Sequence, residues 1–230
     1  MTRFLPHLDL EQVEEATLFF LAESPSTQGP LLDLIVKYYL TIDALLLKVA
    51  RHPNVEETTL NYIRLFGPPH ILASLDGLRA SNAAPMSEAE IQQRRVMTIT
   101  QLRVPEKIQL ALKGNREARL LLIKDPDRQV SLAVLQSPKL TDDDVEKIAQ
   151  SRNVSEDVLR VLSRNPLWTR RYAVREALTS NPKTPLAISL GFLKGLQAAD
   201  VGRLAKDKGV PAALRSSAGK LVSLKNTRKV

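Results

Sequence analysis

Cysteine is absent from the 230 residues. That removes disulfides, thiolate zinc sites and cysteine nucleophiles together, and it fits a reducing cytosol. Aromatic residues make up only 4% of the chain, so Leu, Ala, Val and Ile have to fill the core, as helix-on-helix packing allows. The histidines are His7, His52 and His70, each beside or near a proline in an expected loop. No two stand at metal-ligand spacing, so they read as surface or loop-packing residues. The nine glycines are isolated, mostly at turns or helix ends, and form no phosphate-cradling loop. Residues 31–50 are the most apolar stretch, but Asp33, Lys37, Asp43 and Lys48 interrupt it, a spacing of charge that is costly in lipid. The start, Met1 to Asp9, lacks the apolar run of a signal peptide. The expectation is a soluble, cytoplasmic protein with no cofactor, no metal and no membrane span.

Hydrophobic residues at 43% and charged residues at 25% are near globular averages, which argues against disorder. The net charge of +8 is unevenly shared. Residues 1–104 carry 9 Lys+Arg against 12 Asp+Glu, whereas residues 105–230 carry 24 against 13. The chain therefore reads as an amino-terminal helical region, 1–104, and a basic carboxy-terminal helical region, 105–230. A basic half beside a mildly acidic one suits an anionic partner, such as an acidic protein surface or a nucleic acid, or contact between the halves, although exposed Lys and Arg are also ordinary solubilising residues.

Apolar periodicity near 3.6 runs through most of the chain. A helix is expected within residues 8–23, through Leu10, Val13, Leu18 and Leu21, followed by the breakers Ser24 to Pro30. A single long helix is expected from Pro30 to about Ala50, with an apolar side so broad that it implies neighbours on several sides: a core helix, or a homodimer interface through residues 31–50. Gly67-Pro-Pro-His70 admits a short helix through Leu72, Leu75 and Leu78, and Ser81 to Met86 reads as a linker. Ser87 with Glu90 three residues on forms the pattern of a capping box, and Pro105 starts the next helix. Asp142, Asp143 and Asp144 follow Thr141, which places them in a helix's first turn, where carboxylates favour the dipole, and not at a metal.

The strongest pattern is recurrence. His52-Pro-Asn-Val-Glu56, Ser137-Pro-Lys-Leu-Thr141, Ser151-Arg-Asn-Val-Ser155 and Asn181-Pro-Lys-Thr-Pro185 each open an apolar run, and Lys206-Asp-Lys-Gly-Val-Pro211 gives one more copy. The offsets agree: Thr59, Leu60 and Ile63 stand three, four and seven residues after Glu56, as Val158, Leu159 and Leu162 do after Ser155 and Ile188, Ser189 and Phe192 do after Pro185. Self-similarity of this kind marks a helical array in which each unit buries its face against its neighbours. Asp125-Pro126 through Val134, Asn165-Pro166 through Val174, and Asn181-Pro-Lys-Thr-Pro185 resemble the turns of HEAT-like and leucine-rich-repeat-variant arrays. The resemblance covers about residues 105–218 well and 51–78 weakly. It implies an all-α fold, an α-α superhelix of short helices, and a role as a binding surface. The cysteine-ligated iron–sulfur cluster that some leucine-rich-repeat-variant proteins carry has no ligands here.

One local cluster stands out as a candidate partner-binding site: Trp168, Arg171, Tyr172 and Arg175, with Arg164 and Arg170 close by. On one continuous helix the first four would lie along a single flank at i, i+3, i+4 and i+7. Guanidinium groups beside aromatic faces suit an acidic helix, a phosphodiester or an exposed base. The competing reading is that the aromatics pack internally while the arginines reach solvent. The expected function is a non-enzymatic scaffold or adaptor that binds a protein with an acidic surface. The alternative is nucleic-acid binding by the basic half and its tail Lys220, Lys225, Arg228 and Lys229. A third reading, by likeness to HEAT-like alkylpurine DNA glycosylases, meets a chain with one tryptophan and no matching aspartate motif.

Overall fold

A computed structural model of the chain describes residues 13–76 and 87–227, and every regular element in it is a helix, sixteen among the described residues. The linker expectation at Ser81 to Met86, together with His7, Leu10, Leu78, Arg228 and Lys229, lies outside the described residues. No helix among the described residues is long and apolar enough to cross a membrane.

The chain divides into two compact units, residues 1–121 and 122–230. The first holds α1 (Glu15–Glu23), α2 (Gly29–Tyr38), α3 (Asp43–Arg51), α4 (Glu57–Phe66), α5 (Pro69–Asp76), α6 (Glu88–Gln101) and α7 (Val104–Lys113). Helix α8 (Arg116–Leu122) ends at the division. The second unit holds α9 (Arg128–Val134), α10 (Asp142–Gln150), α11 (Glu156–Arg164), the single turn α12 (Pro166–Thr169), α13 (Tyr172–Ser180), α14 (Leu186–Leu193), α15 (Ala198–Lys206) and α16 (Ala212–Thr227).

Packing within each unit often joins every second helix. In the first, α1 lies against α3 and α3 against α5, while α2 lies against α4 and α4 against α6. In the second, α9 meets α11, α11 meets α13, and α14 meets α16. Leu32, Ile35, Leu45, Leu46, Ile63 and Leu110 are among the fully buried side chains of the first unit. The second buries Val158, Leu159, Leu162, Val174 and Leu178. Beside them, Leu193, Leu196, Val201, Leu204, Val210 and Leu214 form a separate cluster against which Tyr172 packs.

Residues 31–50 do not form the one long helix that periodicity predicts. The backbone leaves the helix at Tyr39 (φ −123°, ψ 39°) and re-enters at Asp43 after an extended Ile42. The broad apolar side is thereby split into two narrower faces, on α2 and α3, which fold against each other. Leu32, Ile35, Val36, Leu45, Leu46 and Val49 are wholly buried within one chain, while Leu31, Leu34, Ile42 and Leu47 are half-buried.

The Ser87–Glu90 capping box is present as the spacing predicts: the Ser87 hydroxyl accepts from the Glu90 amide (3.3 Å) and Glu90 accepts from the Ser87 amide (2.8 Å). Thr141 and Asp144 form another, so the carboxylate of Asp144 serves the helix start. The recurring turns share one hydrogen-bond arrangement. The first residue's side chain accepts from the amide two positions on: Ser137 from Lys139, Ser151 from Asn153, Asn181 from Lys183 and Asp207 from Gly209. His52 does the same through Nδ1, which accepts from the Asn54 amide (3.1 Å), while Nε2 faces the Ser24 carbonyl (2.8 Å). The fourth turn residue is buried in four of them, as Val55, Val154, Thr184 and Val210, and half-buried in the other, as Leu140.

Candidate partner-binding site

The segment from Arg164 to Arg175 is not one helix. Arg164 ends α11 and Asn165 caps α12, its side chain accepting from the Leu167 amide at 3.0 Å. The helix stops after one turn; Arg171 is extended (φ −73°, ψ 128°) and α13 begins at Tyr172. The break leaves the carbonyls of Thr169 and Arg170 without the i+4 amides of a continuous helix. The Arg175 guanidinium turns back to them instead, at 3.3 and 3.5 Å. Trp168, Arg171, Tyr172 and Arg175 therefore do not share the single helical flank that their spacing predicts.

Three of those side chains are engaged inside the second unit. The Tyr172 hydroxyl donates to Asp200 and accepts from the Gln197 amide (2.9 Å), joining α13 to the start of α15. Arg203 bonds the same Asp200 carboxylate and reaches Glu176 at 2.7 Å. Partial burial and the Asp200 carboxylate push the Tyr172 phenol above its ordinary value, whereas the Tyr172 hydroxyl and Arg203 hold Asp200 below its own. Arg175 lies over the Tyr172 ring, 5.8 Å from its centroid. Arg171 pairs with Asp142 at 2.6 Å and stands 4.0 Å from Asp143. The acids of the α10 first turn thus take up one of the arginines that could have faced a partner.

The exposed remainder is Arg164, Leu167 and Arg170, with Trp168 half-buried beside them. Leu167 is 68% exposed, and periodicity did not single it out. Its signal in the sequence is faint: an apolar residue immediately after Asn-Pro, in a turn too short to bury it. Elsewhere in this unit Arg128 pairs with Asp157, Arg160 with Glu156, and Arg203 with Glu176 and Asp200. A groove of about 270 Å³ beside α10 and α13 has mixed charge, with Glu146, Glu176 and Asp207 facing Arg152. Among the described residues no three His, Asp or Glu side chains come together as a metal ion would require.

The first unit also holds a part-buried ionic cluster around the buried Glu106. Lys37 lies 2.8 Å from Asp33 and 3.4 Å from Glu106. Glu106 accepts from the Arg103 backbone amide (2.9 Å) and from its guanidinium (3.2 Å). Burial opposes charge on both Lys37 and Glu106. The neighbours outweigh it, raising the Lys37 ammonium above its ordinary value and lowering the Glu106 carboxyl below its own. Asp33 and Lys37, four apart within an apolar helix, were visible as an i,i+4 pair; their partner on α7 was not. Comparison with protein-family models, with curated proteins and with solved structures found no match.

Proposed function

We propose that this chain is a non-enzymatic interaction module, a cytoplasmic scaffold or adaptor built on an α-α superhelix of HEAT-like or leucine-rich-repeat-variant type. The shared turn arrangement and the packing of every second helix support the repeat reading. The observation that carries the binding reading is the α12 turn: Leu167 stands 68% exposed with half-buried Trp168 beside it, flanked by the exposed Arg164 and Arg170. An apolar anchor ringed by cations suits a protein surface that offers an apolar pocket with an acidic rim. The pairing of Arg128, Arg160, Arg171 and Arg203 with acids favours this over backbone binding to a nucleic acid, which needs clustered free cations.

The test compares affinity capture by the wild-type chain and by the Leu167→Asp, Arg170→Glu double variant from nuclease-treated lysate. The expected result is loss of a specific protein from the variant, with unchanged melting curves. Identical captured sets, or a wild-type set that disappears on nuclease treatment, would overturn the reading.

A further inference from the structure

Helices α2, α4, α6 and α7 surround a groove of about 510 Å³ in the first unit. Pro30, Leu34 and Leu102 give it apolar walls, and Asp33, Lys37, Glu106, Arg103 and Glu56 line it with charge. Within it Asp33 and Glu106 balance Lys37 and Arg103 through the contacts described above. Glu56 is left without a cationic partner among the described residues; the Thr58 hydroxyl donates to it at 3.2 Å, and Gly29 at the start of α2 closes over it. The lining therefore carries a net negative charge whose unneutralised member is held in place.

Tyr62 also lines this groove. It is 3% exposed, and its hydroxyl has no hydrogen-bond partner among the described residues. A buried hydroxyl left unpaired is costly, so such an atom at a cavity wall marks where a ligand's polar atom belongs. Burial and the nearby Asp33 and Glu106 charges push the phenol far above its ordinary value, so at neutral pH the group is an O–H donor that requires an acceptor.

We propose that this groove binds a ligand carrying an alkyl-guanidinium or alkylammonium group and, a few bonds away, a carbonyl acceptor. The cation pairs with Glu56, the alkyl stem lies along Leu34 and Leu102, and the carbonyl accepts from Tyr62. An arginine or lysine residue within a peptide has this combination; a free diamine or agmatine has the cation alone. The site lies in the first unit and is independent of the α12 surface.

The test titrates the isotope-labelled full chain with acetyl-Gly-Arg-Gly-amide, agmatine and acetyl-Gly-Glu-Gly-amide, following amide resonances of α2, α4 and α7. The arginine peptide is expected to shift resonances around the groove, agmatine to do so about tenfold more weakly, and the acidic peptide not at all. Tyr62→Phe should weaken the arginine peptide about tenfold, leave agmatine unchanged and keep the melting temperature at or above wild type. Glu56→Gln should weaken both cations. Agmatine binding as tightly as the peptide would overturn the carbonyl contact, and equal shifts from the acidic peptide would overturn the charge assignment. No shift from any probe would overturn the site. So would a Tyr62→Phe variant that melts lower while binding the arginine peptide normally, since the hydroxyl would then serve a buried water.

Discussion

Asn181 closes two turns at once. Its Oδ1 accepts from the Lys183 amide, and its Nδ2 donates to the carbonyls of Ala149 and Ser151 at 2.7 and 2.9 Å, where α10 ends. Asn54 makes the corresponding pair of bonds to the Pro25 and Thr27 carbonyls, both at 2.9 Å, but from an exposed position. Burial should set the difference between them, because water replaces a lost partner only where it can reach. Asn181→Ala should cost about 2–3 kcal/mol and Asn54→Ala about 1 kcal/mol or less. Urea unfolding would measure the first through fluorescence of Trp168, the only tryptophan, and the second through far-ultraviolet circular dichroism. At this scale the turns were legible from sequence, since Asn, Asp and Ser at the first position meet an amide only two residues away. The second bond of Asn181, across thirty residues, was not.

Among the helices, the caps and offsets were mostly readable and the continuity was not. Thr59, Leu60 and Ile63 after one turn, and Val158, Leu159 and Leu162 after another, are all buried as their shared spacing predicts; of Ile188, Ser189 and Phe192 only Ser189 is, and Leu193 is buried instead. The two breaks that periodicity does not foretell, at Tyr39 to Ile42 and at Arg170 to Arg171, are of one kind. Apolar periodicity continues across a break when the chain re-enters helix facing the same core. At the first break α2 and α3 fold against each other, and at the second Arg175 satisfies the carbonyls freed beside α12. The junction of α7 and α8 is equally tight. A Cβ at Gly114 would lie 2.4 Å from the Leu110 carbonyl oxygen, 2.8 Å from Leu110 Cδ1 and 3.3 Å from Ala118 Cβ. Gly114→Ala should therefore destabilise the chain by about 1–3 kcal/mol through overpacking, measured as a lower urea midpoint at unchanged slope.

Across the molecule, each compact unit carries its own charge network, Asp33–Lys37–Glu106–Arg103 in the first and Tyr172–Asp200–Arg203–Glu176 in the second. Both networks set the pH response. Glu106 and Asp200 titrate below their ordinary 4.5 and 3.8, so their stabilisation is complete above those values and is lost as pH falls through the lowered ones. Lys37 and Tyr172 titrate above 10.5 and 10.0; their stabilisation is complete below those values and is lost as pH rises through the raised ones. Melting temperature should thus form a plateau from about pH 5 to about pH 9.5 and fall on both sides. Glu106→Gln should flatten part of the acid limb, and an unchanged acid limb would contradict the role assigned to that carboxylate.

The sequence by itself determined the helical class, most helix starts, the first residues of the recurring turns and the offsets of the buried side chains after two of them. All of these rest on hydrogen bonds and periodicity within a few residues. Only the tertiary structure decided what the charged and aromatic side chains do. Lys37 meets Glu106 across 69 residues and Tyr172 meets Asp200 across 28, separations at which no local rule selects a partner. That is why the partners of Arg171 and Tyr172 came into view only with the fold, as did the exposed Leu167 and the Tyr62 groove.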